Sequence, residues 1–200
     1  MIKYILIALA TGALAGYANS NLGVFDNSAA GFLFDASLVF LVFMMGLSFG
    51  KDRDALEKMK KKGPRILALP LAIAFGSILG GAISGLILGI RMVETATVSA
   101  GFGWYTLAGP LTGQMFGAEM GALGFIANLL RELITIVTMA ATAKIDRYMP
   151  IAFGGATTMD TTLPLMVHYC GNEMAVTAFA SGFALSIMAP FTITAIGSLG

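Results

Sequence analysis

The chain has 200 residues, of which 57% are hydrophobic and only 12% are charged, and its formal net charge is +1. Soluble domains usually contain about 45–50% apolar and about 25% charged residues, so this chain has too little polar surface to cover itself in water. The near-neutral charge gives no support for nucleic-acid binding, and the single cysteine, Cys170, excludes an intramolecular disulfide. Short alternating segments of the outer-membrane barrel type are not found. The sequence therefore predicts an all-α integral membrane protein.

Five apolar stretches have the length of about twenty residues that a bilayer requires of a helix. In chain order they are Ile2–Ala18, Ala29–Phe49, Ile66–Ile90, Met120–Ala143 and Met174–Ile196. Two further stretches, Thr95–Gly117 and Pro150–Gly171, are apolar but interrupted by glycine and proline. The sequence thus predicts about five transmembrane helices and two broken or re-entrant segments.

Most of the positive charge lies in the loop between the second and third predicted helices. Seven of the twelve basic residues are in this loop: Lys51, Arg53, Lys58, Lys60, Lys61, Lys62 and Arg65. Such a cluster marks the cytoplasmic side of a membrane and attracts anionic lipid headgroups. The charge asymmetry predicts a multi-pass protein in contact with membrane lipid, with its N-terminus inside and its C-terminus outside.

The two interrupted stretches belong to an internal repeat with a period of 54 residues. When residues 101–125 are laid over residues 155–179, seven of the 25 positions are identical. The identities include a Pro-Leu pair and, at the same distance after it, a Gly-x-Glu-Met string. Each unit is predicted to be a hairpin followed by a helix that begins just after Gly-x-Glu. The predicted organisation is a three-helix scaffold over residues 1–90 and a transport core over residues 91–200, with repeats at 95–143 and 150–198.

Glycine and proline predict where the two segments depart from helix. The breaks are expected at Gly101-Phe102-Gly103 and Gly109-Pro110 in the first segment, and at Gly154-Gly155 and Pro164 in the second. If each segment re-enters on one side the two units are inverted, and if each crosses they are parallel. Re-entry is favoured because it brings Lys144 and Arg147 to the cytoplasm. Inverted repeats with broken helices are typical of secondary transporters.

Three strings in these segments closely resemble the LysO family of bacterial and archaeal lysine exporters. They are residues 101–110 (GFGWYTLAGP), 128–133 (NLLREL) and 155–164 (GATTMDTTLP), in the order and spacing of the family. The resemblance runs from the second predicted helix to the C-terminus. It implies a carrier in the cytoplasmic membrane of a prokaryote that expels L-lysine and cationic analogues in exchange for H⁺, with Na⁺ as the other candidate ion.

The resemblance also implies a functional intramembrane aspartate, which corresponds to Asp160. The position of Asp160 is consistent with such a role, because it is the one charged residue of the stretch Met149–Asn172. A carboxylate at the centre of a membrane helix costs about 2.5–3.5 kcal/mol, so it must pair with a cation or bind a proton. Thr157, Thr158 and Thr161 surround it with hydroxyls that suit a cation. The alternative is an aspartate that only caps a half-helix.

The fourth predicted helix carries one strongly polar group, made of Asn128, Arg131 and Glu132. Asn128 and Glu132 are four residues apart and share a face, with Arg131 on its flank. One interpretation is an internal ion pair that holds the bundle together. The other places Arg131 or Asn128 against the carboxylate of the substrate.

Three further residues complete the predicted binding set. Trp104 and Tyr105 follow a Gly-Phe-Gly string, where they suit either a pocket wall for an aliphatic ammonium or an interfacial anchor. Asp35 lies about two turns into the second predicted helix and is a candidate for an exit path or a proton route. The whole predicted set is Asp160, Thr157, Thr158, Thr161, Trp104, Tyr105, Asn128, Arg131, Glu132 and Asp35.

The sequence contains no recognisable catalytic motif: no Ser–His or paired-carboxylate motif, no His-Glu-x-x-His and no phosphate-binding lysine loop. The single histidine, His168, has no companion metal ligands. An enzyme, a metal site and a cofactor are therefore not predicted. A cation channel and a non-transporting membrane subunit are the alternatives to a carrier. Longer family members carry about three further N-terminal helices, so we expect a homodimer or a separate three-helix membrane protein as partner.

Overall fold

The computed structural model describes residues 63–200 continuously and, before them, only single residues and short runs. These earlier residues are 7, 11–12, 14–19, 23, 31–33, 36–37, 39–40, 43–44, 47, 51 and 57. The chain divides into two compact units, Met1–Lys51 and Asp52–Gly200. The predicted helices Ile2–Ala18 and Ala29–Phe49 lie mostly outside the described residues, and Asp35 lies outside them altogether.

The second unit is built from helices, with no strand among residues 63–200. Its elements are a 3-10 turn Pro64–Leu67, α1 Ala68–Leu88, α2 Met92–Ser99, α3 Tyr105–Phe116, α4 Ala118–Ile145, α5 Met149–Gly154, a 3-10 turn Gly155–Met159, α6 Leu163–Cys170 and α7 Asn172–Gly197. Three of them, α1, α4 and α7, are long and apolar enough to cross a membrane. They match the last three predicted membrane helices to within two residues at each end. The all-helical membrane fold is confirmed, and the count of five spans stays a prediction.

The 54-residue period reappears in the bounds of the helices. Helices α3 and α6 end at Phe116 and Cys170, and helices α4 and α7 begin at Ala118 and Asn172, so that both pairs of bounds are 54 residues apart. The linking residues Gly117 and Gly171 have nearly the same φ, 96° and 91°. As predicted, Glu119 and Glu173 lie in the first turn of their helices. A carboxylate there interacts favourably with the positive end of the helix dipole.

The two breaks fall at different places within their units. The first covers residues 100–104, whereas the second covers residues 155–162 and includes a 3-10 turn. The prediction that Gly109-Pro110 breaks the first segment is wrong, because both residues lie inside α3. A proline removes one helical hydrogen bond, and the carbonyl that loses it belongs to Thr106, which is exposed. Pro164 is the second residue of α6, where its missing N–H costs nothing.

Each interrupted segment folds back on itself. We call residues 92–116 hairpin 1 and residues 149–170 hairpin 2. At the base of hairpin 1 the guanidinium of Arg91 lies 5.8 Å from the ring centroid of Phe116. At the base of hairpin 2 the guanidinium of Arg147 lies 3.8 Å from the carboxylate of Glu173. In each hairpin, therefore, the first and last residues lie close together.

Helix α4 links the bases of the two hairpins. The base of hairpin 1 adjoins its first residue, and the base of hairpin 2 follows its last turn after a short loop. Helix α7 runs back from the base of hairpin 2 to that of hairpin 1, where Gly197 packs against Met115. The hairpins thus enter the bundle from opposite ends, and their tips meet partway along α4.

Small residues allow the closest helix packing in this unit. Helices α3 and α4 touch through glycines, and a Cβ on Gly121 would lie 2.8 Å from the Cα of Gly113. Small residues at such contacts are a usual means of helix association in membranes. An apolar cluster fills the space between α4, hairpin 2 and α7: Met139, Ile151, Met166, Cys170, Met174 and Ala178. This packing holds the base of hairpin 2 against two long helices.

Candidate functional site

The tip of hairpin 1 is held by the side chain of Asn128 on α4. Its Oδ1 accepts a hydrogen bond of 2.7 Å from the backbone N–H of Gly103. Its Nδ2 donates to the carbonyls of Val98, at 2.9 Å, and Gly124, at 2.8 Å. Asn128 is buried, and both of its N–H groups are used, so in this state it offers a ligand no donor. Its contacts position the tip.

The tip of hairpin 2 is held largely by its own threonines. Thr158 shares its hydroxyl proton between the carbonyl of Gly155, at 2.7 Å, and that of Ala178 on α7, at 2.8 Å. The hydroxyl of Thr157 donates to the carbonyl of Gly154 at 3.0 Å. Both threonine side chains are buried, with 0% and 7% of their surface exposed. Their hydroxyls donate hydrogen bonds to backbone carbonyls around the break, and buried carbonyl groups need such partners.

The two tips are joined directly through their backbones. The N–H of Ala156 donates to the carbonyl of Phe102 over 2.8 Å. Gly155 has a φ of 62°, and a Cβ built on it would collide with that same carbonyl. Only glycine combines this conformation with so close an approach. The Gly-Phe-Gly and Gly-Ala-Thr strings singled out in the sequence therefore form one junction.

Arg131 binds the other end of the second break. Its Nε donates to the carbonyl of Phe153 at 2.8 Å, and its Nη2 donates to that of Ala152 at 3.0 Å. These carbonyls belong to the last turn of α5, whose partial negative charge suits a cation. Its Nη1 donates to the hydroxyl of Ser77 on α1 at 3.0 Å. Arg131 therefore ties α4 to α5 and to α1.

The ion pair considered between Arg131 and Glu132 is not formed. Within residues 66–200 the ion pairs are Arg91 with Glu94 and Arg147 with Glu173. Successive residues on a helix point about 100° apart, so the two side chains leave α4 in different directions. The interpretation of an internal ion pair is wrong for this state of the protein.

Two carboxylates and a tyrosine lie on the elements that form the junction. Glu132 on α4 has 7% of its surface exposed, whereas Asp160 on the second break is exposed. Tyr105 is the first residue of α3 and directly follows the tip of hairpin 1. The Tyr105 ring packs edge-on against Phe125 with centroids 5.3 Å apart. One oxygen of Asp160 accepts a bond of 2.6 Å from the backbone N–H of Thr161.

The remaining predicted residues divide into neighbours of this group and residues that cannot be placed. Trp104 directly precedes Tyr105, and its indole N–H donates to the hydroxyl of Thr106 at 3.0 Å. Thr161 directly follows Asp160 and is exposed. Asp35 lies outside the described residues, so its role stays a prediction. Residues 104–105 thus follow the tip of hairpin 1, residues 160–161 lie in the second break, and residue 132 lies one turn along α4 from Asn128, which holds the first tip.

Ser77, whose side chain contacts the predicted set, was missed. Ser77 accepts the hydrogen bond from Arg131, although nothing in the sequence joins α1 to α4. A weak signal was present, since Ser77 and Ser84 are seven residues apart in an otherwise apolar helix and share its face. That spacing indicates a polar stripe on α1, but it does not show which residue or helix contacts the stripe.

Comparison with known proteins finds similar proteins and a matching protein family. The family model described as the lysine exporter LysO matches residues 6–196. The chain is 30% identical over 159 residues to the lysine exporter LysO of Escherichia coli, covering 78% of this chain and 52% of that protein. It is 26% identical over 163 residues to a protein of Haemophilus influenzae whose name proposes lysine export, covering 80% and 82% of the two chains.

The chain thus spans about half the length of the Escherichia coli relative. No solved structure matches it. The family match extends over nearly all of its residues and includes the three strings that meet beside α4. The chain belongs to the LysO family of lysine exporters.

Proposed function

We propose that this protein exports L-lysine and cationic analogues across the cytoplasmic membrane of a prokaryote in exchange for protons, with Na⁺ as the alternative coupling ion. One observation carries the proposal. Two carboxylates, Glu132 on α4 and Asp160 in the second break, lie on the two elements that contact the tip of hairpin 1, and neither has an ion-pair partner within residues 66–200. The names of the matching relatives support the choice of lysine as cargo.

In this proposal both hairpins re-enter the membrane, and the units 95–143 and 150–198 form an inverted repeat. Two features support it: each hairpin has its ends together, and the two bases lie at opposite ends of α4. Helix α4 has 28 residues. At about 1.5 Å per residue it exceeds a hydrocarbon core of about 30 Å, so its ends reach opposite surfaces. Lys144 and Arg147 then lie on the cytoplasmic side and the C-terminus lies outside.

The two carboxylates suit a cargo that carries an ammonium group. An ionised carboxylate at membrane depth needs a cation, and a lysine ammonium or a proton supplies one. If the two cations compete for Glu132 and Asp160, release of lysine outside is followed by proton uptake, and the return of the loaded site completes an exchange. Tyr105 and Trp104 would flank the ammonium with aromatic faces, which attract cations. Thr157, Thr158 and Thr161 keep the tip of hairpin 2 in place.

The proposal is tested with the full chain in proteoliposomes, oriented so that export appears as uptake of labelled lysine. A pH gradient should drive saturable uptake in the wild type. Asp160→Asn and Glu132→Gln preserve side-chain shape but remove the charge, so each should abolish gradient-driven uptake. Glu119→Gln, which removes an exposed carboxylate from the first turn of α4, is the matched control and should transport normally. Normal transport by both site variants would remove the acidic pair from the mechanism.

The same experiment separates the alternatives. A cation channel would give uptake that does not saturate and needs no proton gradient. A non-transporting subunit would give no uptake in any condition.

A further inference from the structure

A second polar feature lies beside the junction, in a cavity of about 270 Å³ between α1, α2 and α4. Its polar lining consists of Ser77, Ser84, Ser99, Asn128 and Arg131, and glycines of α1 line much of the rest. Small-molecule sites usually measure about 300–1,000 Å³, so this volume is near the lower limit for one small metabolite. Neither Glu132 nor Asp160 lines it.

Among residues 66–200 the charge that lines this cavity is positive and has no ion-pair partner. Arg131 is its only charged lining residue, and within residues 66–200 the guanidinium has no carboxylate partner. Its recorded bonds go to the neutral oxygens of Phe153, Ala152 and Ser77. A guanidinium has five N–H donors, so two remain for a ligand, one on each terminal nitrogen. A half-buried cation without an anion is costly, and an anion in the cavity would relieve that cost.

The geometry of α4 relates this cavity to the acidic pair. Arg131 and Glu132 are consecutive, so they lie at one depth along the helix and point about 100° apart. A positive site and a negative site therefore occupy neighbouring faces of one helix turn. A molecule that carries both a carboxylate and an ammonium matches such an arrangement, whereas a simple diamine matches only the negative part.

We infer that the cavity beside Arg131 binds the α-carboxylate of the exported amino acid, held by the free N–H groups of the guanidinium with the hydroxyl of Ser99 as an additional donor. This inference rests on the proposed function, because it assigns a second contact to the same cargo. It makes Arg131 a substrate-binding residue as well as the residue that ties α5 to α4. It predicts that the protein prefers an amino acid to a diamine of the same length.

The test measures binding to the full chain in lipid nanodiscs with three probes. L-lysine carries both groups, cadaverine lacks the carboxylate, and L-norleucine lacks the ε-ammonium. The wild type should bind lysine about 10- to 100-fold more tightly than cadaverine, as expected for charge-assisted hydrogen bonds. Arg131→Gln should weaken lysine and norleucine by that factor and leave cadaverine within about twofold. Ser99→Ala should weaken lysine about 2- to 10-fold, as loss of a neutral hydrogen bond does.

Controls separate binding from folding and from the proposed function. Arg91→Gln removes an exposed cation at the base of hairpin 1 and should change binding of none of the probes. Equal loss of lysine and cadaverine in Arg131→Gln, together with no effect of Ser99→Ala, would show that Arg131 only shapes the tip and would overturn the inference. Binding of norleucine but not lysine by the wild type would uphold the anion site and refute the lysine cargo. Binding of none of the probes would refute both.

Discussion

Gly155 is the position where one added methyl group should do most damage to the junction. In Gly155→Ala the new Cβ would collide with the carbonyl of Phe102 and lie about 3.1 Å from the Nη2 of Arg131. The backbone must also keep a φ of 62° with a ψ of −124°, which an alanine rarely adopts. We expect the two tips to separate and hairpin 2 to loosen.

The size of the effect follows from two terms. A non-glycine residue in such a conformation costs about 1–3 kcal/mol. Loss of the hydrogen bond from Ala156 to Phe102 removes about 0.5–1.5 kcal/mol more. The free energy of unfolding should therefore fall by about 2–4 kcal/mol. At about 2–4 °C per kcal/mol for a chain of this size, Tm should fall by about 5–15 °C.

The protein carries its own reporter for this measurement. Cys170 is the only cysteine in the sequence, and 2% of its surface is exposed. It is the last residue of α6, so it becomes accessible when hairpin 2 opens. A dye that fluoresces on reaction with a thiol should therefore give the melting curve of the detergent-solubilised protein without any labelling site being introduced.

Gly80→Ala is the matched control for the same methyl group. Gly80 is helical, and a Cβ there would meet nothing within 4 Å, so the variant should melt at or above the wild-type temperature. Equal melting temperatures for Gly155→Ala and the wild type would refute the reasoning, because the contact between the tips would then carry no stability.

Three further predictions concern the same architecture. Asn128→Ala removes three hydrogen bonds and leaves the Gly103 N–H unpaired, so it should lower stability by about 2–5 kcal/mol in the thiol-dye assay; an unchanged Tm would contradict its role as a clamp. Cysteines introduced at Ala118 and Asp146 in a Cys170→Ser background should react with an impermeant reagent from opposite faces of the membrane, and labelling from one face would favour parallel repeats. Native mass spectrometry in mild detergent should find a homodimer or a complex with a separate three-helix protein, and a monomer that exports lysine unaided would refute both.

Much of the fold could be predicted because the bilayer imposes simple rules. Apolar length located α1, α4 and α7, and the internal repeat located the starts of α4 and α7 at Gly-x-Glu. The prediction failed at Gly109-Pro110, because a single missing hydrogen bond at an exposed carbonyl is cheap. Proline alone therefore did not determine where the helix ended, whereas the Gly-Phe-Gly string did.

The site was predictable in its members but not in their contacts. The strings around residues 101–110, 128–133 and 155–164 do meet at the junction. The sequence did not show which polar atoms form hydrogen bonds with each other. Helical spacing predicts which residues share a helix face, but it does not identify the element that packs against that face. Arg131 illustrates this, since its acceptors are backbone carbonyls 21 and 22 residues away and a serine 54 residues away. Because every residue has a backbone carbonyl, the sequence does not show which carbonyls accept a hydrogen bond from a side chain.

The unequal breaks give the two hairpins different chemistry at the same length. Under the 54-residue offset Asp160, Thr161 and Thr162 occupy the places that Thr106, Leu107 and Ala108 hold in the first turn of α3. Hairpin 2 has thus exposed a carboxylate by unwinding one helical turn, with no residue inserted or deleted. An insertion in either hairpin would rotate everything after it by about 100° and separate the tips. We therefore expect insertions and deletions to be excluded from both hairpins and tolerated in the connection at residues 146–148.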